Sequence, residues 1–202
     1  GAQVAGILKT IQDQGEQLKA VVHAAGVMEN AAYEDLEDGT LSKSFAAKVS
    51  GAWHLHEQTA GCELDAFVLY GSIAGLWGSG GQVAYSAANA ALAGLAQYRA
   101  GQGLSATTLH WGPWAGEGMA GEGGAEHLRK RGLTPLEPVS AMRAFEISIG
   151  SGRVDLGVVD VEWASFARLL AFSKPSPFLE GIAEAKEALA DVTAPVKDKK
   201  VA

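Results

Sequence analysis

Cysteine is almost missing from this sequence, and its scarcity removes whole classes of function. Cys62 is the one thiol among 202 residues, so there is no internal disulfide framework and no cysteine-built metal site. Positive charge is short as well: 16 lysines and arginines stand against 23 acidic residues, a formal net charge of −7. The basic runs, Arg129-Lys-Arg131 and Lys197-Asp-Lys-Lys200, are brief, which argues against nucleic acid or an anionic membrane surface as a partner. No stretch approaches the roughly 18 apolar residues of a membrane helix. No basic segment leads into an apolar core at the start, so a signal peptide is not expected either. A cytoplasmic protein is the expectation. The sequence opens at Gly1 without an initiator Met, which points to an excised or cleaved piece. His23, His54, His56, His110 and His127 show no ligand spacing with a carboxylate partner. His54 and His56, two apart, do not share a helix face, and a zinc site is not expected.

What is present is ordinary globular material, with 48% hydrophobic against 19% charged residues, enough for one core. Apolar residues at Val4, Ile7, Leu8, Ile11 and Leu18 predict a helix over 4–18. Lys19–His23 reads as a short strand ended by Ala24-Ala-Gly26. An acidic, irregular stretch runs from Met28 to Gly39. Thr40 is then a fair N-cap for a helix reaching about Thr59 and carrying Lys48. A strand over Asp65–Tyr70, a glycine-rich loop and a long helix from about Val83 to Ala100 follow, closed by Gly101 and Gly103. Ala106–Trp111 is the next strand, and residues 112–124 have the composition of a mobile loop or lid. Glu137–Ile149 is an amphipathic helix and Asp155–Asp160 a last strand. Helical pieces around Trp163–Leu170 and Phe178–Leu189 precede an Ala/Pro/Lys end of linker type. Strands alternating with helices predict an α/β layered fold with a parallel sheet. Ligands of such sheets sit beyond the strands' carboxyl ends, where Gly26, Ser72 and the Trp111-Gly-Pro113 turn all fall.

Each candidate motif has a bland counterpart. Gly116-Glu-Gly-Met-Ala-Gly121 matches the letters of a dinucleotide fingerprint, but it follows Pro113-Trp114 rather than a first strand, and Glu117 would repel phosphate. It reads as lid. Ser72 lacks the glycines two residues to either side that a hydrolase elbow needs, since Tyr70 and Ala74 stand there; alone it is a cap or turn hydroxyl. Tyr85 alone is a packing residue with a bonded hydroxyl. Lys48 alone is a solvated charge, although Ala46, Ala47, Gly51 and Ala52 around it allow close packing and a buried ammonium. Beside a phenol such an ammonium favours phenolate and suits proton transfer. Tyr85 and Asn89, four apart, share a helix face.

Five pieces in order carry a resemblance: Val21-Val-His-Ala-Ala-Gly-Val27, Lys48-Val-Ser-Gly-Ala-Trp-His-Leu55, Gly71-Ser-Ile-Ala-Gly75, Tyr85-Ser-Ala-Ala-Asn89 and Trp111-Gly-Pro-Trp-Ala-Gly-Glu-Gly-Met-Ala120. Together they resemble the ketoreductase domain of modular polyketide synthases, a branch of the short-chain dehydrogenase/reductase superfamily. Asn89 stands four residues after the tyrosine, with the lysine upstream at Lys48, as in that branch. The resemblance implies a Rossmann-like fold and reduction of a β-ketoacyl thioester on an acyl carrier protein, with NADPH as cofactor. It implies Tyr85 as the general acid and Ser72 as a hydrogen bonder to the ketone oxygen. Lys48 would lower the Tyr85 pKa and contact the nicotinamide ribose, and Asn89 would support the proton relay. Ala24, Ala25 and Gly26 resemble the turn lying against the cofactor, with Pro113 at the lid base; Trp114 and Met119 fall in the substrate-side lid motif.

Stereochemistry follows from the same pattern. Met28-Glu-Asn30 replaces the Leu-Asp-Asp motif of one subgroup, while Trp77, eight residues before the tyrosine, fits the other. Gln82 stands where a histidine marks epimerised substrates. An A1-type outcome is implied: an L-alcohol whose α-substituent is not epimerised. The resemblance also implies three earlier strands, the first bearing a glycine-rich pyrophosphate loop, supplied by an N-terminal partner segment. Residues 1–160 are then the C-terminal part of the catalytic domain with a lid over about 112–132, 161–190 a covering tail and 191–202 a linker. Two other classes stay open: a non-catalytic scaffold or carrier-binding remnant, and a serine hydrolase or thioesterase.

Overall fold

The structure, a computed structural model, describes residues 1–116, 124–173 and 177–193. Its centre is a parallel sheet of four strands, β1 (Ala20–His23), β2 (Ala66–Ser72), β3 (Thr107–Trp111) and β5 (Asp155–Val158), which lie side by side in that order. Register pairs Val22 with Val68, Tyr70 with Leu109 and His110 with Gly157. β2 is covered on both faces, which is why it reads as a continuous apolar run; Phe67, Val68 and Leu69 are at most 1% exposed.

Helices fill the two faces. On one, α3 (Gly51–Thr59) contributes Ala52 and α5 (Val83–Gly101) contributes Leu92, Leu95 and Ala96, packed on Val21, Phe67 and Leu69. Alanine favours the helix intrinsically, and its short side chain lets α5 lie close to the strands: Ala88, Leu92 and Ala96 are fully buried. On the other face α7 (Pro138–Gly150) sets Ala141 against Val68, Leu109 and Trp111. That second face is left open over β1, where Val22 is 52% exposed while Val21 on the reverse is 8% exposed. Among the described residues no strand pairs with the outer edge of β1.

The α/β parallel-sheet expectation holds, and so do the four strands. Several local expectations do not. The first helix, α1 (Ala2–Asp13), stops five residues short of Leu18, because Gly15 takes a left-handed φ of +76° just past the cap. The next helix, α2 (Asp38–Phe45), starts at the N-cap Glu37, so Thr40 lies inside it and caps nothing. Between α2 and α3 the chain makes a π-helical turn, Ala46–Ser50, which holds Lys48. A single helical turn, α4 (Ala74–Trp77), interrupts the glycine-rich loop.

Of the expected lid, residues 117–123 lie outside the described residues, and the described part on either side is hydrogen-bonded at its base. Leu136 N–H donates to the Pro113 carbonyl at 2.7 Å, and Ala115 N–H to Leu136 at 2.9 Å. Residues 124–130 form α6 (Gly124–Lys130), followed by a two-stranded antiparallel ribbon of β4 (Leu133–Thr134) and β6 (Asp160–Val161). The C-terminal pieces are α8 (Trp163–Ser173), α9 (Pro177–Glu180) and α10 (Ala183–Thr193); they share a core of Ala167, Leu179, Ala185 and Ala188. Among the described residues no helix is long and apolar enough to cross a membrane.

The carboxyl ends of β1, β2 and β3 point the same way, so residues 24–26, Ser72 and Gly112-Pro113 share one rim of the sheet. α5 runs back from that rim with Tyr85 and Asn89 in its first turns. α4 closes on α5 at Gly75, where an added Cβ would sit 2.9 Å from the backbone of Asn89 and Ala90. Because the obstacle is helix backbone, Gly75→Ala is expected to cost about 1–3 kcal/mol, read as a lower urea midpoint with an unchanged slope.

Candidate active site

Lys48 is the residue whose placement is least expected from its chemistry. It is 5% exposed, and its Nζ donates to the Tyr70 carbonyl at 2.9 Å. Nζ also stands 5.9 Å from the centre of the Tyr85 ring. Gly26 lies directly over the lysine stem: a Cβ there would be 2.8 Å from Lys48 Cε and 3.1 Å from Nζ. A side chain there would have to push the flexible end of the lysine aside. Burial holds the ammonium well below its ordinary 10.5, at about 8. The turn that carries it is fixed by His23, which donates from Nε2 to the Lys48 carbonyl at 2.9 Å; burial keeps His23 below its usual range.

Tyr85 is half-buried and Asn89 fully buried. Asn89 Nδ2 donates to the Tyr85 carbonyl at 2.7 Å, one turn back along α5. Its Oδ1 is enclosed and accepts no hydrogen bond. A buried acceptor left open is costly, and this one sits one helix turn from the phenol-bearing residue. Ser72 ends β2; its Oγ accepts from the Ala74 N–H at 3.2 Å, the cap-like contact that its bland reading describes. Its carbonyl accepts from His110 Nδ1 at 3.0 Å. His110 is wholly buried, and its Nε2 lies 2.9 Å from Asp155 Oδ1, out of line for a hydrogen bond. His110 therefore meets a carboxylate across the β3–β5 pair, while His54 Nδ1 lies 3.4 Å from Glu57 Oε2 one turn along α3.

The residues read as stereocontrolling are dispersed around this core. Gln82 Nε2 donates to Asn30 Oδ1 at 3.0 Å and lies 3.1 Å from Met28 Sδ, while Ala31 N–H donates to the Gly81 carbonyl at 2.8 Å. The loop after β1 and the entrance to α5 are thus tied together. Trp77 packs against Phe166 and Phe178 of the C-terminal helices. Trp114 stacks edge-on with Trp111 at 5.1 Å and joins the α7-side core. Met119 lies outside the described residues.

The KR-domain family model matches residues 1–116. This chain belongs to the KR-domain family. A polyketide synthase of Streptomyces halstedii, GfsA, is 44% identical over 185 residues, covering 90% of this chain and 2% of its own length. The ketoreductase from the first module of phoslactomycin biosynthesis in Streptomyces sp. HK803 matches with a TM-score of 0.83 and 43% identity, over 88% of this chain and 41% of its own. A solved A1-type ketoreductase matches with a TM-score of 0.83 and 38% identity, over 87% of this chain and 37% of its own. The chain therefore spans a small part of the synthase and about two fifths of the solved ketoreductases.

In this KR domain the structure brings Lys48, Tyr85, Asn89 and Gly26 into one neighbourhood and sets Ser72 on the same rim. Three supporting groups escaped sequence reasoning: the Tyr70 carbonyl, His23 and His110. A carbonyl leaves no side-chain signal at all. The two histidines were legible only as strand residues, since their partners depend on tertiary register.

The buried ammonium has a thermodynamic signature. Below pH 8 the folded chain bears the cost of a desolvated charge; between about 8 and 10.5 the unfolded chain holds that proton more tightly, so stability rises with pH. Lys48→Met is expected to lack this rise, measured as urea midpoints of both proteins at about pH 7.5 and about pH 9.5. Equal pH responses of the two proteins would contradict a buried charged Lys48.

Proposed function

We propose that this chain is the C-terminal part of an NADPH-dependent β-ketoacyl reductase that reduces a β-ketoacyl thioester on an acyl carrier protein to the β-hydroxy form. The observation that carries the reading is the buried Lys48 ammonium beneath Gly26, with the Tyr85 ring 5.9 Å from Nζ. A scaffold has no use for a desolvated cation beside a phenol.

The chain's own residues fit a nicotinamide cofactor. Gly26 presents bare backbone on the rim, and Lys48 keeps donors beyond the single bond to Tyr70. Ala24, Ala25, Gly26, Lys48, Tyr85 and Pro113 would hold it; when bound, it supplies the hydride. Tyr85 gives its phenolic proton to the ketone oxygen, Ser72 Oγ orients that oxygen, and the Lys48 charge favours the phenolate left behind. Asn89 fixes the turn of α5 that presents Tyr85. A serine nucleophile is poorly served here, because His110 reaches the Ser72 carbonyl and not its hydroxyl.

The product configuration proposed is A1-type, with Trp77 as a wall for the acyl arm and Gln82, Trp114 and Met119 around it; likeness to the A1-type ketoreductase supports this. The open edge of β1 calls for a partner, an N-terminal segment that carries the glycine-rich loop, since an unpaired strand edge with an exposed Val22 is a poor solvent surface. Residues 1–160 are the catalytic portion, and α8 to α10 form the covering tail that leads on to a carrier protein.

In the reductase completed by that segment, Tyr85→Phe is expected to slow NADPH oxidation on a simple β-keto thioester about a hundredfold to ten-thousandfold. Turnover equal to wild type overturns the role of Tyr85. Cofactor-free thioester cleavage that disappears in Ser72→Ala would instead establish the hydrolase.

A further inference from the structure

Trp77 is the one aromatic side chain in the stretch between β2 and α5, and its own backbone does little to fix it. α4 is a single four-residue turn, followed by Gly78 at a φ of +86° and a glycine-rich loop. The ring is held from elsewhere. Phe166 of α8 meets it with centroids 4.9 Å apart at 57°, and Phe178 of α9 at 5.7 Å and 65°. Aromatic pairs favour tilted and edge-on arrangements, so two rings gripping at once restrict the indole's rotation. Phe166 is in turn immobilised: it is 4% exposed, lies 6.0 Å from Trp163, and shares a core cluster with Ile73 and Leu133. Leu128 of α6 packs on that same cluster, so the lid-side helix and the tail converge behind one indole.

We infer that the C-terminal helices set the orientation of the Trp77 ring, and that Phe166 and Phe178 are thereby positioning residues for the configuration of the product alcohol. The inference rests on the reading of Trp77 as the wall for the acyl arm. A wall discriminates between two approach directions only as well as it resists rotation. Removing either ring leaves Lys48, Tyr85, Ser72 and Asn89 untouched, so the consequence falls on which face of the ketone is presented and not on how fast it is reduced.

The test uses the reductase completed by its cofactor-binding segment, with a 2-methyl-3-oxoacyl N-acetylcysteamine thioester as probe and chiral chromatography of the alcohols. Phe166→Leu and Phe178→Leu keep apolar bulk while deleting the ring contact. Each is expected to raise the minor diastereomer about threefold to tenfold, with kcat for NADPH oxidation within about twofold of wild type. Trp77→Ala separates the two layers of argument. If Trp77→Ala leaves the product ratio unchanged, the wall reading itself fails. If Trp77→Ala scrambles the ratio while both phenylalanine variants keep it, the tail plays no positioning role and this inference is overturned. Phe178 is 39% exposed and its truncation spares the core, so a folded Phe178→Leu protein with wild-type selectivity decides against the inference even where Phe166→Leu does not fold.

Discussion

The hydrogen bond from Lys48 Nζ to the Tyr70 carbonyl is the constraint around which the site is arranged. An ammonium taken out of water costs several kcal/mol unless it is compensated, and one neutral acceptor compensates only in part, which is what the depressed pKa expresses. Everything nearby can be understood as accommodation of that charge. The π-helical turn delivers the lysine inward, His23 fastens the turn by its main chain, and Gly26 lies against the lysine's far end. π turns are infrequent and concentrate at functional positions. A catalytic reading of Lys48 therefore rests on structure that has no stabilising purpose of its own.

A second constraint is close packing between α5 and the strands. The alanine-rich sequence of α5 places Tyr85 and Asn89 at the sheet rim because small side chains let the helix lie low on β2 and β3. Gly75 continues the same logic in α4, where the backbones nearly touch. The groups proposed to handle the proton are thus mounted on rigid elements, while the region joining β3 to α7 is pinned at its base by Pro113, Ala115 and Leu136.

Much of this was readable in the linear sequence, and the pattern of success has a physical cause. The strands and α5 were legible because burial on both faces forces apolar runs and helical periodicity, which are local signals. Tyr85, Asn89 and Ser72 were legible as letters at set spacings. Illegible features came from two sources. Helix boundaries at Thr40 and Leu18 were decided by cap geometry at Glu37 and Gly15 rather than by propensity. Contacts such as Gln82 with Asn30, or His110 with Asp155, join segments distant in sequence through sheet register and loop closure. Trp77 shows the same limit: its place in the motif was visible, but its anchoring by Phe166 and Phe178 was not, since nothing local ties a tail helix to that loop.

The order of the strands carries one more consequence. In doubly wound sheets the crevice for a nucleotide opens at the switch point, where successive crossovers part in opposite directions along the sheet. The order β1-β2-β3-β5 advances without any reversal. Among the described strands no switch point falls, and the free outer edge of β1 adjoins Gly26. Under the proposed completion by a further segment, that edge is one bank of the crevice and the added segment is the other.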